Sequence, residues 1–295
     1  MTSQEKPISL MRRLATALFS LIFTSCGTNL AKQAQIAYQK SNFPLAVKLY
    51  QQVIEKSPHP QYVYNLALSL IANQKPKEAF SVLSPLLEKY PQNTLLLRAA
   101  MISCFEMTKY ARAEEYIQKI LALNSYDFYA RMYQLYILYK KKDYRTAILR
   151  MKEFYKETQD PRIMLAIAQA FDSLNERKEA IFWMEQYTKK SGKANDFFVL
   201  ATWQIQARDY LQASENLSQG LSRDNNPRYR FQLARLQLLF LKNADLGLEN
   251  LKQAVEKGFY SVKDFEELLN HPRLVDREDV QKTLLTAKPK SSKKA

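Results

Sequence analysis

The strongest constraint on the fold is a small residue that recurs at a nearly fixed spacing along most of the chain. Successive members are separated by 33 or 34 residues, and they are Ala46, Ala79, Ala113, Ala147, Ala180, Ala213 and Gly247. A period of this length is typical of an array of paired helices. The sequence therefore predicts stacked helical hairpins over residues 31–259.

The residues around each small residue repeat as well. The stretch from Ile36 to Pro58 predicts two helices separated by a short hinge, and the second helix ends before the proline. An aromatic residue or a proline stands in the hinge at Phe43, Pro76, Tyr110, Tyr144 and Tyr210. A second small residue precedes the first by twelve places at Ala34, Ala67, Ala168 and Ala201, where it allows the two helices to approach closely.

This pattern resembles the tetratricopeptide repeat, with a small residue in the first helix, an aromatic hinge, an alanine and a closing proline. Pro58 and Pro91 keep the closing proline, whereas Ser125 and Gln159 replace it. The resemblance covers about Asn29 to Phe259. It implies an all-α, right-handed superhelical solenoid of about seven hairpins. The alternative is an unrelated helical bundle whose sequence happens to be periodic.

The period ends after Gly258, and residues 260–287 have the pattern of C-terminal capping helices. Ser261 and Asp276 are candidate N-cap residues for two short helices, which Pro272 separates. Such helices cover the apolar end of a solenoid. Residues 288–295 form a basic tail that we expect to be disordered.

The N-terminus has the features of an export signal. A basic pair, Arg12 and Arg13, precedes the apolar run Leu14–Phe23, which is too short to span a bilayer. The following Thr24-Ser25-Cys26 resembles the bacterial lipoprotein signal, although Phe23 replaces the usual leucine, a departure tolerated in spirochaetes among other groups. The resemblance implies a signal peptide at 1–25, lipidation of Cys26 and a tether at 26–30. The alternative is an ordinary buried helix, and translation can start at Met1 or at Met11.

We therefore expect a lipid-anchored protein of the bacterial cell envelope that faces the periplasm or the exterior. The chain has a net charge of +15, which favours anionic surfaces. With Cys26 acylated, only Cys104 remains, so no intramolecular disulfide is expected, and packing is the expected role of Cys104.

The family pattern places a set of first-helix residues on a concave groove that is aromatic and contains arginines. Tyrosines there suit contacts with a protein partner, and arginines suit carboxylates. For the tyrosines, core packing between neighbouring hairpins is the alternative. Ala31 and Gln35 replace a lysine and an asparagine of the family's carboxylate clamp, so binding of a chaperone tail is not implied. The candidate residues are Tyr64, Asn65, Arg98, Phe105, Tyr129, Tyr133, Tyr136, Arg162, Gln169, Phe198, Arg228, Phe231 and Arg235.

Catalysis has little support in the sequence. The two histidines, His59 and His271, lie in separate predicted turns, and no motif for zinc, phosphate or a nucleophile is present. We expect no enzyme activity, no cofactor and no metal.

Three functions remain open. The first is an envelope scaffold that binds a protein or peptide partner, and it is the function the sequence favours. The second is a small-ligand-binding accessory lipoprotein for a transporter. The third, nucleic-acid binding, requires a cytoplasmic location and is not expected beside an export signal. The identity of the partner, the choice of inner or outer membrane and the oligomeric state are not determined by the sequence.

Overall fold

A computed structural model describes residues 29–287, and within that range it contains sixteen α-helices and no β-strand. The all-α repeat architecture predicted from the sequence is confirmed. The predicted signal peptide at 1–25, the lipidation residue Cys26 and the basic tail at 288–295 lie outside the described residues.

The described chain divides into two compact units, and the first covers residues 29–142. Three helical hairpins and one further helix form it. The first of its helices begins at Asn29, two residues before the predicted start of the array. These helices are α1 (Asn29–Gln39), α2 (Phe43–Lys56), α3 (Pro60–Ala72), α4 (Pro76–Lys89), α5 (Thr94–Glu106), α6 (Tyr110–Leu123) and α7 (Phe128–Lys140).

The second unit covers residues 143–287. It contains one helix, three hairpins and two short C-terminal helices. These are α8 (Tyr144–Thr158), α9 (Pro161–Ser173), α10 (Arg177–Ser191), α11 (Ala194–Gln206), α12 (Tyr210–Leu221), α13 (Pro227–Leu239), α14 (Ala244–Glu256), α15 (Val262–Leu269) and α16 (Arg277–Leu285).

Short polar side chains start many of these helices by accepting hydrogen bonds from free backbone N–H groups. The Oδ1 atom of Asn93 accepts from the amides of Leu95 and Leu96 at 3.1 and 3.2 Å. Asp209 caps α12 in the same way. Proline occupies the first position of α3, α4, α9 and α13, where its missing N–H costs nothing.

The recurring small residues have the packing role that the sequence predicts. The six alanines at the repeat position are fully buried. A Cβ atom added at the seventh, Gly247, would lie 2.6 Å from Cγ of Leu238. Any larger side chain at this position would therefore push helices α13 and α14 apart.

A second repeated feature lies five residues before each small residue, in the turn between two helices. The residue there has a left-handed backbone with φ between 51° and 64°, although none of the seven is glycine. These residues are Ser41, Gln74, Thr108, Lys142, Asn175, Arg208 and Lys242. The hinge is thus a single left-handed residue, and the aromatic or proline of the sequence pattern begins the following helix.

The C-terminal helices α15 and α16 cover the end of the second unit. Phe265 and Leu268 of α15 and Val280 of α16 are buried in one apolar cluster with Phe231 of α13. Ser261 caps α15 as predicted, since its hydroxyl accepts from the amide of Asp264 at 3.3 Å. Asp276 stands at the cap position of α16 but makes no side-chain cap hydrogen bond.

Candidate partner-binding surface

The thirteen candidate groove residues divide between the two units, and each unit is described separately. The first unit holds Tyr64, Asn65, Arg98, Phe105, Tyr129, Tyr133 and Tyr136, and the second holds Arg162, Gln169, Phe198, Arg228, Phe231 and Arg235.

The aromatic candidates of the first unit mostly pack between neighbouring hairpins. The ring of Phe105 on α5 meets Tyr133 on α7 edge to face, with 5.2 Å between their centroids. Tyr133 also contacts Tyr136 at 6.0 Å. All three side chains are buried. Tyr133 and Tyr136 therefore pack in the core between neighbouring hairpins, which was the alternative to a role in the groove. Their contact with a partner stays a prediction.

The buried hydroxyls of Tyr64 and Tyr133 have no hydrogen-bond donor or acceptor among the described residues. Burial raises the pKa of both phenols well above the usual value. Asn65, beside Tyr64 in α3, is satisfied instead, because its Oδ1 accepts from Nε2 of Gln61 at 3.2 Å.

Arg98, which is partly exposed, and the buried Asp127 link α5 to the start of α7. Arg98 donates from Nε to Oδ2 of Asp127 at 3.1 Å and makes a second, shorter contact from Nη2. Asp127 also caps α7 by accepting from the amide of Ala130 at 2.9 Å. The Arg98 guanidinium lies 5.4 Å from the ring centroid of Tyr129, which is partly exposed. The carboxylate that Arg98 was predicted to bind is thus already supplied by the chain.

The two aromatic candidates of the second unit are core residues. Phe198 stacks on Tyr229 with 3.5 Å between centroids, and Phe231 stacks on Phe259 at 4.5 Å. Both Phe198 and Phe231 are buried. Phe198 links the first helices α11 and α13, and Phe231 packs α13 against the segment between α14 and α15. A partner would reach either ring only after a change of packing.

The polar candidates of the second unit stay accessible. Arg162 is half-exposed and makes a bidentate pair with Asp160, at 2.9 Å from Nε and 2.6 Å from Nη2. Arg235 lies 3.8 Å from Glu267, and both are partly exposed. Gln169 is partly exposed as well. Arg228 is exposed and has no acidic partner among the described residues.

Two further basic side chains that were not among the candidates lie against Phe240, at the end of α13. They are His271 and Arg273, in the turn after α15. The pKa of His271 is lowered by partial burial and then by the positive charges of Arg235 and Arg273. A turn residue carries no helical register, so the repeat phase alone had no means to place these two beside α13.

Within the first unit the accessible candidates are Arg98 and Tyr129. Within the second unit they are all polar or basic, namely Arg162, Gln169, Arg228 and Arg235. Within residues 29–287, no three side chains of the metal-ligating types come together. None of the helices described there is long and apolar enough to cross a membrane.

Comparison with known proteins gives a family match over part of the chain and a similar fold. The tetratricopeptide-repeat family profile matches residues 31–94. Pseudomonas aeruginosa PilF is 18% identical, with a TM-score of 0.52 over 70% of this chain and 95% of that one. A human IFIT1 dimer solved with PPP-AAAA is 16% identical, with a TM-score of 0.53 over 89% of this chain and 68% of that one.

A tetratricopeptide repeat protein from Parabacteroides merdae also resembles the chain, with 12% identity and a TM-score of 0.49 over 87% of this chain and 96% of that one. No curated protein matches the chain in sequence. Identities this low establish a helical repeat fold and nothing finer, so the function must be argued from the surface.

Proposed function

We propose that this helical repeat protein, whose residues 31–94 match the tetratricopeptide-repeat profile, is a membrane-anchored scaffold that binds a protein or peptide partner in the bacterial cell envelope. The observation that carries the proposal is the accessible face of α13. Arg228 and Arg235 are seven residues apart and therefore share one face of this helix, with Gln232 between them.

This face is suited to a partner that brings acidic or polar groups. Arg228 is exposed and lacks an acidic partner among residues 29–287, whereas Arg235 has only a long contact to Glu267 at 3.8 Å. An arginine that enters an interface needs a carboxylate or carbonyl group to replace water. Gln232 adds a donor and an acceptor on the same face. A polypeptide offers all of these groups along an extended backbone.

The anchored location rests on the N-terminal sequence. A basic pair, a short apolar run and a cysteine after small residues are the parts of a lipoprotein signal. Acylation at Cys26 would hold the array beside the membrane, because two or more acyl chains give stable anchoring. The scaffold would then meet partners in the same envelope layer.

Site-specific crosslinking in the native host tests this function. Benzoylphenylalanine at Gln232 reports on partners at the α13 face without removing either arginine. We expect a defined protein adduct at this position. Adding Arg228→Glu and Arg235→Glu should reduce the adduct about tenfold, equivalent to 1.4 kcal/mol of lost binding.

The matched control places the same photoreactive residue at Lys252, which is exposed on the second helix α14 of the same unit. An adduct at Gln232 that is absent at Lys252 and sensitive to the arginine substitutions supports the proposal. Equal adducts at both positions, or none at Gln232, contradict it.

A second candidate function, small-ligand binding in the first unit, is favoured by the hydroxyls of Tyr64 and Tyr133. A buried hydroxyl without a partner costs free energy, and a polar group of a ligand would remove that cost. Native mass spectrometry of the protein from its host should then show a retained small molecule that Tyr133→Phe loses. A chain that carries no such molecule excludes this function.

A further inference from the structure

The outward side of α8 and α10 repeats a pattern that the partner-binding proposal does not use. In each helix an exposed apolar residue has a basic residue four places before it and another seven places after it, all on one helical face. These residues are Arg145, Leu149 and Lys156 in α8, and Lys178, Phe182 and Lys189 in α10. We call these six the α8–α10 outer surface.

The apolar residues of this surface are not required by the repeat. Leu149 is 61% exposed and Phe182 is 54% exposed. In the other second helices the equivalent position is polar or charged, as Lys48, Ser81, Glu115, Glu215 and Glu249. The second helices α8 and α10 therefore each expose a large apolar side chain at a position where the other second helices carry a polar or charged one. Leu149 and Phe182 are therefore candidates for contact with another surface.

Aromatic rings connect the two helices beside this surface. Trp183 contacts its neighbour Phe182, with 5.8 Å between ring centroids, and Tyr155 of α8 at 5.9 Å. The Nζ atom of Lys152 lies 5.9 Å from the Trp183 ring. Lys190 donates to the hydroxyl of Tyr155 at 3.3 Å. The apolar residues are thus bordered by aromatic rings and by lysines with no acidic partner in the described part of the chain.

The positive charge is local to these two helices. α8 carries four basic and two acidic residues, and α10 has the same balance. Arg145 is the one basic member of the surface with an ion pair, to Glu176 at 2.9 Å, and it stays largely exposed. In α14 the three equivalent positions are Asp245, Glu249 and Glu256. The outward side of the second unit therefore changes from basic and apolar to acidic along the repeats.

We propose that the α8–α10 outer surface docks on an anionic phospholipid bilayer. Leu149 and Phe182 enter the head-group region, and the surrounding lysines and arginines meet lipid phosphates. A membrane fits this surface because it accepts protruding apolar side chains without a shaped pocket and supplies negative charge around them. Trp183 and Tyr155 have the amphipathic rings that favour the same interfacial depth.

Binding through so few apolar residues is weak and reversible, and it orients the array rather than anchoring it. Both helices must lie along the membrane for the two apolar residues to engage together. The inference is separate from the partner-binding proposal, since it uses second helices and no residue of the α13 face. Either can fail while the other holds.

Tryptophan fluorescence of the full chain tests the docking directly. The chain has two tryptophans, so Trp203→Phe leaves Trp183 as the only reporter. Vesicles of phosphatidylcholine alone are compared with vesicles that also contain phosphatidylglycerol, each with brominated lipid as a quencher. We expect quenching of Trp183 in the anionic vesicles and little in the neutral ones. Because the reporter lies beside Phe182, an N-terminal segment held on the vesicle does not produce the signal by itself.

Substitutions then separate the apolar from the electrostatic contribution. Leu149→Glu together with Phe182→Glu should lower partition at the Trp183 reporter at least tenfold. Lys156→Glu with Lys189→Glu should remove the preference for anionic lipid. The matched control is Leu211→Glu on α12, since Leu211 is also 61% exposed but has no basic residue at the equivalent flanking positions. All of these side chains are exposed, so the fold should be retained, and circular dichroism checks that it is.

Three results would overturn the proposal. The first is equal quenching of Trp183 in neutral and anionic vesicles. The second is quenching that stays unchanged when Leu149 and Phe182 are both replaced by glutamate. The third is an unquenched Trp183 with self-association that depends on Glu249, which would assign the α8–α10 outer surface to a second copy of the chain instead.

Discussion

The left-handed residue in the turn before each second helix illustrates how the repeat constrains single residues. For a residue other than glycine or asparagine, this conformation raises the free energy of the folded state by about 1–2 kcal/mol, because the Cβ atom approaches the following carbonyl. The chain accepts that cost at Ser41, Gln74, Thr108, Lys142, Arg208 and Lys242, and only Asn175 has the side chain that tolerates it well. The turn geometry is therefore imposed by the packing of the two helices it joins.

Thr108 bears the largest part of this strain because its side chain is β-branched, with φ at 59°. We predict that Thr108→Asn raises the free energy of unfolding by about 0.5–1 kcal/mol. Chemical denaturation monitored by circular dichroism measures the change. The reciprocal variant Asn175→Thr should lower stability by a similar amount. A Thr108→Asn variant less stable than the parent would show that the hydroxyl bond to the Met107 carbonyl outweighs the backbone strain.

Gly220 in α12 is required by the ring that lies against it. A Cβ atom there would stand 2.4 Å from Cε1 of Phe198, whose ring is held by stacking on Tyr229. We predict that Gly220→Ala destabilises the protein, because overpacking costs about 1–3 kcal/mol and exceeds the helical preference for alanine of about 1 kcal/mol. Thermal unfolding measures the difference. Ser218→Ala, on the exposed side of the same helix, is the control and should be close to neutral.

The sequence predicted these residue roles unevenly. The alanines at the repeat position could be identified because small size is visible in a single letter. The left-handed turn residues could not, since lysine, arginine and threonine give no signal for that conformation. The sequence left the burial of Tyr133 open as an alternative and did not predict the burial of Phe198. Position in the repeat places a side chain on the inner side, but neighbouring helices decide whether water reaches it.

At the scale of the element, the end of the second unit depends on α15. Leu268 is fully buried among the phenylalanines of the terminal cluster, whereas Leu285 of α16 is 78% exposed. Leu268→Ala should therefore cost about 2–4 kcal/mol of unfolding free energy, while Leu285→Ala stays within about 0.5 kcal/mol. Urea denaturation of the two variants compares the same chemical change in two environments. Equal effects would mean that α15 does not cap the array as described.

The ion pair between Asp160 and Arg162 at the start of α9 should make the free energy of unfolding depend on pH in the acidic range. Burial tends to raise the pKa of Asp160, but the hydrogen bonds and charge of Arg162 outweigh it and the pKa is lowered. Because the pKa of Asp160 is lower in the folded state, its carboxylate stabilises the protein at pH values above the unfolded-state pKa of about 4. This stabilisation is lost as the pH falls through the folded-state pKa. Asp160→Ala should thus cost about 1 kcal/mol near neutral pH and much less in acid.

Urea denaturation at neutral pH and again in acid measures this difference. Asp224→Ala is the control, since Asp224 is exposed and uses only its backbone in hydrogen bonds. If the loss of stability in Asp160→Ala does not change with pH, the charge of Asp160 does not contribute. The loss would then come from the missing helix cap alone.

The helices themselves were predictable from the sequence because start signals and period agree. Asn93, Asp160 and Ser261 each precede a helix and cap it. Asp276 has the same sequence signal and makes no cap bond. Local patterns fix where a helix begins, but the direction of a side chain in a connecting turn depends on contacts that the pattern does not contain.

At the scale of the whole molecule, the net charge of +15 is less informative than its distribution. Basic residues of α8 and α10 surround exposed apolar side chains, whereas the outward positions of α14 are acidic. An average over the chain predicts attraction to anionic surfaces in general. The repeat phase predicts which hairpins can provide it, because equivalent positions of successive helices share one side of each unit.

The location of the molecule decides which of these surfaces has a partner, and the intact mass of the native protein tests it. We predict that protein from the membrane fraction of its host begins at Cys26 and carries acyl chains. A Cys26→Ala variant should lose that mass and leave the membrane fraction, because one cysteine provides the attachment. Full-length, unmodified protein in the soluble fraction would contradict the export signal. The basic charge would then favour a cytoplasmic partner such as nucleic acid, with an affinity that falls steeply as salt increases.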